Sequence, residues 1–178
     1  MGTITRTIAN NITTGGVITS SGINNSSLSS VTALPAAIAT GKVLQVVQTA
    51  STADFSTSST SFVEVTTLST SITPSSASNK ILVLINFVME NVGNYTTSYF
   101  TAYRNNATLL GNENAGYGFE RVGVANGISA GFSICYLDSP NTTSSTTYDL
   151  YVKNDSGSLT HVGRESATKT MTLMEISG

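Results

Sequence analysis

Charged side chains are scarce in this sequence. Eight Lys and Arg and ten Asp and Glu make 18 charged residues in 178, whereas about a quarter is usual in a soluble protein. The basic residues are spread from Arg6 to Lys169 without a cluster, so we expect no binding to nucleic acid or to an anionic membrane. Ser and Thr together number 54, which predicts a surface built from hydroxyl and amide groups.

Cysteine and long apolar runs are also nearly absent. The single cysteine, Cys135, excludes an intrachain disulfide, and its flanks "FSICYLD" predict a strand in which it is a small buried side chain. The longest aliphatic run, "ILVLI", is far shorter than the roughly 20 apolar residues that span a bilayer. No apolar stretch follows the basic residue in "MGTITRTIANN", so we expect a protein made without a secretory leader.

Aromatic residues are missing from the first 41 residues, which carry one charged side chain. This composition predicts two parts, an extended N-terminal arm at residues 1–40 and a β-sandwich head domain at residues 41–178. The arm has ten large aliphatic side chains, too few to order it alone, because fixing each backbone costs about 1–2 kcal/mol. It is therefore a flexible tail or a segment ordered by a partner, and the β-formers in "TITRTI" and "GGVIT" favour the partner. The residues predicted to anchor it are Ile4, Arg6, Ile8, Ile12, Val17 and Ile18.

The head consists of short β-type runs separated by turn residues. The nine runs are "KVLQVVQ", "SFVEVTTL", "KILVLINFVME", "SYFTAYR", "ATLLG", "SAGFSICYLD", "TTYDLYVK", "SLTHV" and "KTMTLMEI". In the third run every second residue from Ile81 to Met89 is apolar, which predicts a central core strand. Asn105 and Asn106 fit a two-residue type I′ hairpin turn. Eight or nine strands without a convincing helix predict an all-β antiparallel sandwich, with a jelly roll as the expected arrangement.

Catalytic chemistry is not indicated by the motifs. "GISAG", residues 127–131, matches the G-x-S-x-G motif with Ser129 as nucleophile, but that motif has meaning only at a strand-to-helix turn, and here it runs into a strand pattern. His161 is the only available base, and the acidic residues are scattered without a metal-binding pattern. We expect a non-enzymatic protein with no cofactor and no metal site.

One long segment is a candidate for recognition. "GNENAGYGFERVGVANG", residues 111–127, is long for a connection in a compact β-domain, and such loops are often functional. Tyr117, Phe119 and Arg121 within it are residue types favoured at binding surfaces. The alternative interpretation is a further strand whose aromatic side chains fill the core.

Five segments of the head resemble a known family. They are "GKVLQVVQ", "SITPSSASNKILVL", "YLDSP", "TYDLYVKN" and the closing "TMTLMEI". Together they resemble the C-terminal domains of virion structural proteins, often tail fibres, in tailed phages of marine and freshwater bacteria, over residues 41–178. The resemblance implies a homotrimeric β-domain located on the virion, and it implies no catalytic residues.

Members of this family often carry a long shaft, whereas about 40 residues precede the head in this sequence. A capsid decoration protein or head fibre is therefore as compatible with the sequence as a tail-fibre tip. We expect a protein of the virion surface, on the capsid exterior or the tail, that binds itself. Its arm would bind the major capsid protein or another virion structural protein. The alternative is a receptor-binding adhesin whose head recognises a host surface polysaccharide.

Overall fold

Antiparallel strands make up the head in the computed structural model, which describes residues 42–93, 95–122 and 127–178. The predicted anchoring residues of the arm, Ile4, Arg6, Ile8, Ile12, Val17 and Ile18, lie outside these ranges. The strands are β1 (Val43–Ser51), β2 (Phe55–Thr57), β3 (Val63–Ile72), β4 (Lys80–Val92), β5 (Thr96–Arg104), β6 (Thr108–Leu109), β7 (Gly118–Val122), β8 (Ile128–Asp138), β9 (Thr146–Asn154), β10 (Leu159–Val162) and β11 (Lys169–Ile176). A single 3-10 turn spans Arg164–Ser166. Within the described ranges, no helix has the length and apolar character needed to cross a membrane.

The strands form two sheets. In the first sheet β8 pairs with β4, β4 pairs with β11, and β11 pairs with β1, while β10 continues the line of β11 along β4 and carries β2 on its other side. In the second sheet β3 pairs with β9 and β9 with β5, and the other edge of β5 is shared by β6 and β7.

The strand order defines a jelly roll. Eight principal strands give the order β1-β11-β4-β8 in one sheet and β3-β9-β5-β7 in the other, with every pairing antiparallel. Successive principal strands alternate between the sheets, except that β5 and β7 lie in the same sheet. This strand order is the double Greek key of the jelly roll. The predicted all-β sandwich with jelly-roll topology is therefore confirmed.

The core is filled from the inner faces of both sheets. On β4 the alternate residues from Ile81 to Met89 are buried, as the sequence pattern predicted. Phe87 meets Phe100 of the second sheet edge to face, with ring centroids 5.2 Å apart, a geometry that aromatic pairs prefer. The predicted turn at Asn105 and Asn106 is also present, since both have φ near +50° and the amide of Ala107 donates to the carbonyl of Arg104 at 3.1 Å.

The prediction for Cys135 was wrong, because its side chain is exposed. In β8 it follows Ile134, which is 1% exposed and points into the core, and successive residues of a strand face opposite sides. The register places Cys135 opposite Leu84, on the outer face of the first sheet. Because Ile134 and Cys135 are both apolar, the pattern alone did not fix which of them points inward.

The last strand is held inside the first sheet. β11 lies between β1 and β4, and Met171 and Leu173 are fully buried. Near its end, the carboxylate of Glu175 accepts hydrogen bonds from the side chain of Asn79 at 2.5 Å, from the amide and hydroxyl of Ser75 at 2.7 Å each, and from Gln45 at 2.6 Å. These contacts tie β11 to the loop before β4 and to β1.

Candidate functional site

The outer face of the first sheet carries a line of apolar side chains that no other strand described in the structure covers. In the strand register, Val46 of β1 pairs with Met174 of β11, which pairs with Leu82 of β4, which pairs with Leu137 of β8. We call this continuous line across four strands the apolar row. Val46 is 55% exposed and Leu137 is 50% exposed. A contiguous line of four apolar side chains, two of them half-buried and two exposed, makes this face the candidate contact surface of the first sheet.

A second line runs beside the apolar row. It consists of Gln48, Thr172, Leu84 and Cys135, which we call the mixed row. The side-chain amide of Gln48 donates to the hydroxyl of Thr172 at 2.8 Å. The next line on this face contains Ala50, Thr170, Asn86 and Ser133. In this described part of the face, these three lines contain no charged side chain.

Aromatic rings occupy the outer face of the second sheet. Tyr99 of β5 lies between Lys153 of β9 and Phe119 of β7 in the register, and the centroids of the Tyr99 and Phe119 rings are 5.9 Å apart. The ammonium of Lys153 lies 4.5 Å from the ring centroid of Phe62 and 5.2 Å from that of Tyr99, within cation–π range. We call Phe62, Lys153, Tyr99 and Phe119 the aromatic row.

Carboxylates and two more tyrosines lie beside the aromatic row. The rings of Tyr103 and Tyr151 are 4.3 Å apart, and Asp149, opposite Tyr103 in the register, is only 1% exposed. Its Oδ2 atom has no hydrogen-bond partner among the described residues. Burial raises the pKa of Asp149, although a hydrogen bond from Ser69 opposes the shift. Burial and the nearby charge of Asp149 also raise the pKa of Glu64. The face thus combines flat rings with partly desolvated acceptors.

The three residues of the predicted recognition loop do not have the same environment. Phe119 and Arg121 lie in β7 with exposed side chains, and Phe119 is 56% exposed. Tyr117 lies before β7, and its hydroxyl donates to the backbone carbonyl of Cys135 at 2.6 Å. Tyr117 therefore links the second sheet to the edge strand of the first. The alternative of a further strand is right for residues 118–122, but the aromatic side chains do not fill the core.

The G-x-S-x-G segment does not form a nucleophile elbow. Ser129 is the second residue of β8, an 11-residue strand, and the next described element after β8 is the strand β9, not a helix. In the register Glu90 lies between Ser129 and His161, so the serine and the histidine are two strand spacings apart, about 10 Å. A catalytic triad needs the histidine between the serine and the acid. Glu90 is paired instead with Arg164.

Metal-binding groupings are not found in the described ranges, where no three His, Cys, Asp or Glu side chains come together. The aromatic partners Tyr99 and Tyr103 were not predicted as site residues. The signal was present in "SYFTAYR", where the two tyrosines share one face of the strand and Phe100 points to the other. The apolar row has no comparable signal, because each strand contributes one residue.

Comparisons with known proteins give similarity to solved structures alone. No protein-family model and no curated protein matches the chain. The VP2 subviral particle of infectious bursal disease virus is similar over 76% of this chain, with 14% identity and a TM-score of 0.38. Structures of the Gx and Gt strains of that virus are similar over the same share, with 11% and 13% identity and TM-scores of 0.36 and 0.37. The chain spans 37–39% of the length of these three chains, well under half.

Proposed function

We propose that this chain is a non-enzymatic structural protein of a virion surface, with residues 1–40 as its anchor and the jelly-roll head facing outward. The observation that carries the proposal is the apolar row, a line of apolar side chains across the four principal strands of the first sheet that no other described strand covers. Such a surface suits a protein that functions inside an assembly. The resemblance of residues 41–178 to C-terminal domains of virion structural proteins of tailed phages supports the virion as that assembly.

Within this proposal the protein is a homotrimeric capsid decoration or head-fibre protein. Its arm binds the major capsid protein or another virion structural protein, by adding a strand to the edge of a neighbouring sheet. The aliphatic residues of the arm, spaced as in a strand in "TITRTI" and "GGVIT", supply the alternating side chains that such a strand inserts into pockets. A weakly charged, hydroxyl-rich head is compatible with close packing on a shell.

Deletion of residues 1–40 is expected to abolish binding to virions while the head stays folded. The physical reason is that the described core and both sheets lie entirely within residues 42–178. The measurement is co-sedimentation of the purified protein with virions stripped of it, with circular dichroism to check the fold. Retention of virion binding by the truncated protein would refute the assignment of the arm.

A substitution series separates the side chains of the arm from its length. Ile4→Ser, Ile8→Ser and Ile12→Ser in one full-length variant should bind at least tenfold more weakly, because the inserted aliphatic groups are lost. Ser20→Ala together with Ser21→Ala is the matched control and should bind as the unaltered protein does. Equal binding by the isoleucine variant and the control would contradict strand insertion by these residues.

A second candidate function is a receptor-binding adhesin for a host surface polysaccharide. The aromatic row favours it, because flat exposed rings can pack on the apolar face of a sugar ring. The half-buried carboxylate of Glu64, beside that row, can accept hydrogen bonds from the sugar hydroxyls. Phe119 is the most exposed ring of that row, and Arg121 extends from the same strand beside it.

Phe119→Ala tests the adhesin candidate. If the head binds the host surface, saturating purified protein should slow adsorption of the phage to its host, and the Phe119→Ala protein should need at least about tenfold higher concentration for the same effect. Tyr95→Ala is the matched control, since Tyr95 is 79% exposed but lies outside the aromatic row. Adsorption that is unaffected by saturating unaltered protein would remove the adhesin candidate.

A further inference from the structure

We infer that the apolar row and the mixed row form the surface through which copies of this chain bind one another. The inference deepens the proposed function and rests on its self-association, which it assigns to named residues. One surface packed face to face with the same surface of another copy joins copies in pairs, so a homotrimer would need a further contact elsewhere. Val46, Leu137 and Leu44 are each between 45% and 55% exposed. Val43, before Leu44, is 53% exposed as well, so the aliphatic surface continues to the start of β1.

The size of this surface limits what can cover it. Four strands about 4.8 Å apart and two lines of side chains about 7 Å apart give an apolar patch on the order of 200 Å². A stable interface buries about 800 Å² on each partner. Three such lines span on the order of 400 Å². The contact must therefore extend over the neighbouring line, which contains Ala50, Thr170, Asn86 and Ser133, and onward across the rest of this face. An apolar centre with a hydroxyl and amide rim is the usual anatomy of a protein interface.

The charge distribution favours a second copy of the chain as the occupant. Along β4 the nearest charged residues on this face are Lys80 at one end and Glu90 at the other, and none lies between them on the described strands of the face. Two copies can therefore pack these three lines together without bringing like charges into contact, with Lys80, the next residue on this face before Leu82, at the rim. A partner with charged groups would lose their hydration without gaining a counter-charge. The Gln, Thr, Asn and Ser side chains of the rim both donate and accept hydrogen bonds, so the rim is complementary to itself.

The test uses the full-length protein in solution. Sedimentation velocity at micromolar concentration should show a multimer, and Leu137→Lys should weaken the association at least tenfold, because an ammonium group would be placed in the apolar centre. Leu159→Lys is the matched control. Leu159 is 39% exposed and lies opposite Val92, ten residues along β4 from Leu82 and about 33 Å away. It should leave the association unchanged.

Two further measurements keep the outcome decisive. If Leu137→Lys fails to fold, Val46→Lys makes the same change at the other end of the apolar row. Cys135 lies in the mixed row, so its thiol should react with a maleimide more slowly in the unaltered protein than in either lysine variant, because the contact between copies covers it. A monomeric unaltered protein, or lysine variants that stay multimeric, would overturn the inference.

Virion binding measured on the same preparations separates this inference from the proposed function. A multimer that depends on Leu137 but does not bind virions overturns the proposed function and leaves the surface assignment standing. A monomer that binds virions overturns the surface assignment alone. A multimer of two copies rather than three supports the surface and contradicts the homotrimer.

Discussion

Replacing Glu175 with Gln is expected to lower the free energy of unfolding by about 3 kcal/mol at pH 7, since a tenfold change in an acid dissociation constant corresponds to about 1.4 kcal/mol. The side chain is 1% exposed, and burial alone would raise its pKa. The hydrogen bonds from Asn79, Gln45 and Ser75 outweigh burial and lower the pKa from 4.5 to about 2. All the groups around this carboxylate donate hydrogen bonds to it. The NH2 group of Gln would face one of these donors and leave it without an acceptor.

The pH dependence gives this prediction a sign. Because the folded pKa of Glu175 is depressed, its stabilising contribution is complete above pH 4.5 and is lost as the pH falls towards 2. Urea denaturation should therefore show the largest difference between the two proteins at pH 7 and a shrinking difference below pH 4.5. Glu113→Gln, at an exposed position, is the control and should leave stability unchanged. A loss smaller than about 1 kcal/mol at pH 7 would contradict the role of the network.

Strand positions were predictable because periodicity depends on neighbours in the sequence. β4 alternates core and surface residues over its whole length, and it appears where the pattern indicated. β2, only three residues long, has no such pattern; it exists because β10 offers a free edge, where Val162 pairs with Phe55. β7 was ambiguous because its pairing with β5 depends on a distant contact. Gly118 leaves room for the ring of Phe100, which a Cβ atom at that position would clash with.

The apolar row was not predictable, because it depends on register between distant segments. The apolar row takes one residue from each of four strands, so no single segment shows an unusual cluster. A slip of one residue would send Leu137 inward and Asp138 outward. Asp138 fixes this register, since its carboxylate accepts hydrogen bonds from Arg104 at 2.7 Å and from Tyr148 at 2.7 Å inside the sandwich. The polar anchor of β8 thereby determines which apolar side chain reaches the surface.

Replacing Glu120 with Gln is expected to stabilise the protein at alkaline pH. Glu120 extends from β7 into the sandwich, opposite Ser98, and is 7% exposed. Neither of its carboxyl oxygens has a hydrogen-bond partner in the described part of the chain. Burial, and then the charge of Glu90, raises its pKa from 4.5 to about 7, although the nearby backbone amide of Asn91, too poorly placed to count as a partner, opposes the shift. Ionisation of Glu120 therefore destabilises the folded state, because the charged carboxylate is better solvated in the unfolded chain.

The sign for Glu120 is opposite to that for Glu175. Because the folded pKa of Glu120 is raised, the stability of the protein that depends on its neutral carboxyl group is fully present below pH 4.5 and is lost as the pH rises through about 7. At pH 8 the Glu120→Gln protein should be more stable by about 3 kcal/mol, and at pH 4 the two proteins should unfold at the same urea concentration. A difference that does not change between pH 4 and pH 8 would exclude ionisation as its cause.

A double variant tests whether the two carboxylates act independently. Glu175 limits stability on the acid side and Glu120 on the alkaline side, and they lie on different sheets, so their effects should add. At pH 8, adding Glu120→Gln to the Glu175→Gln protein should restore about as much stability as Glu175→Gln removed. The remaining alkaline loss would then come from Asp149 and Glu64, whose pKa values burial also raises. Failure to add would mean that the two sites share a structural change, which unfolding curves at several pH values would reveal as a changed slope against urea.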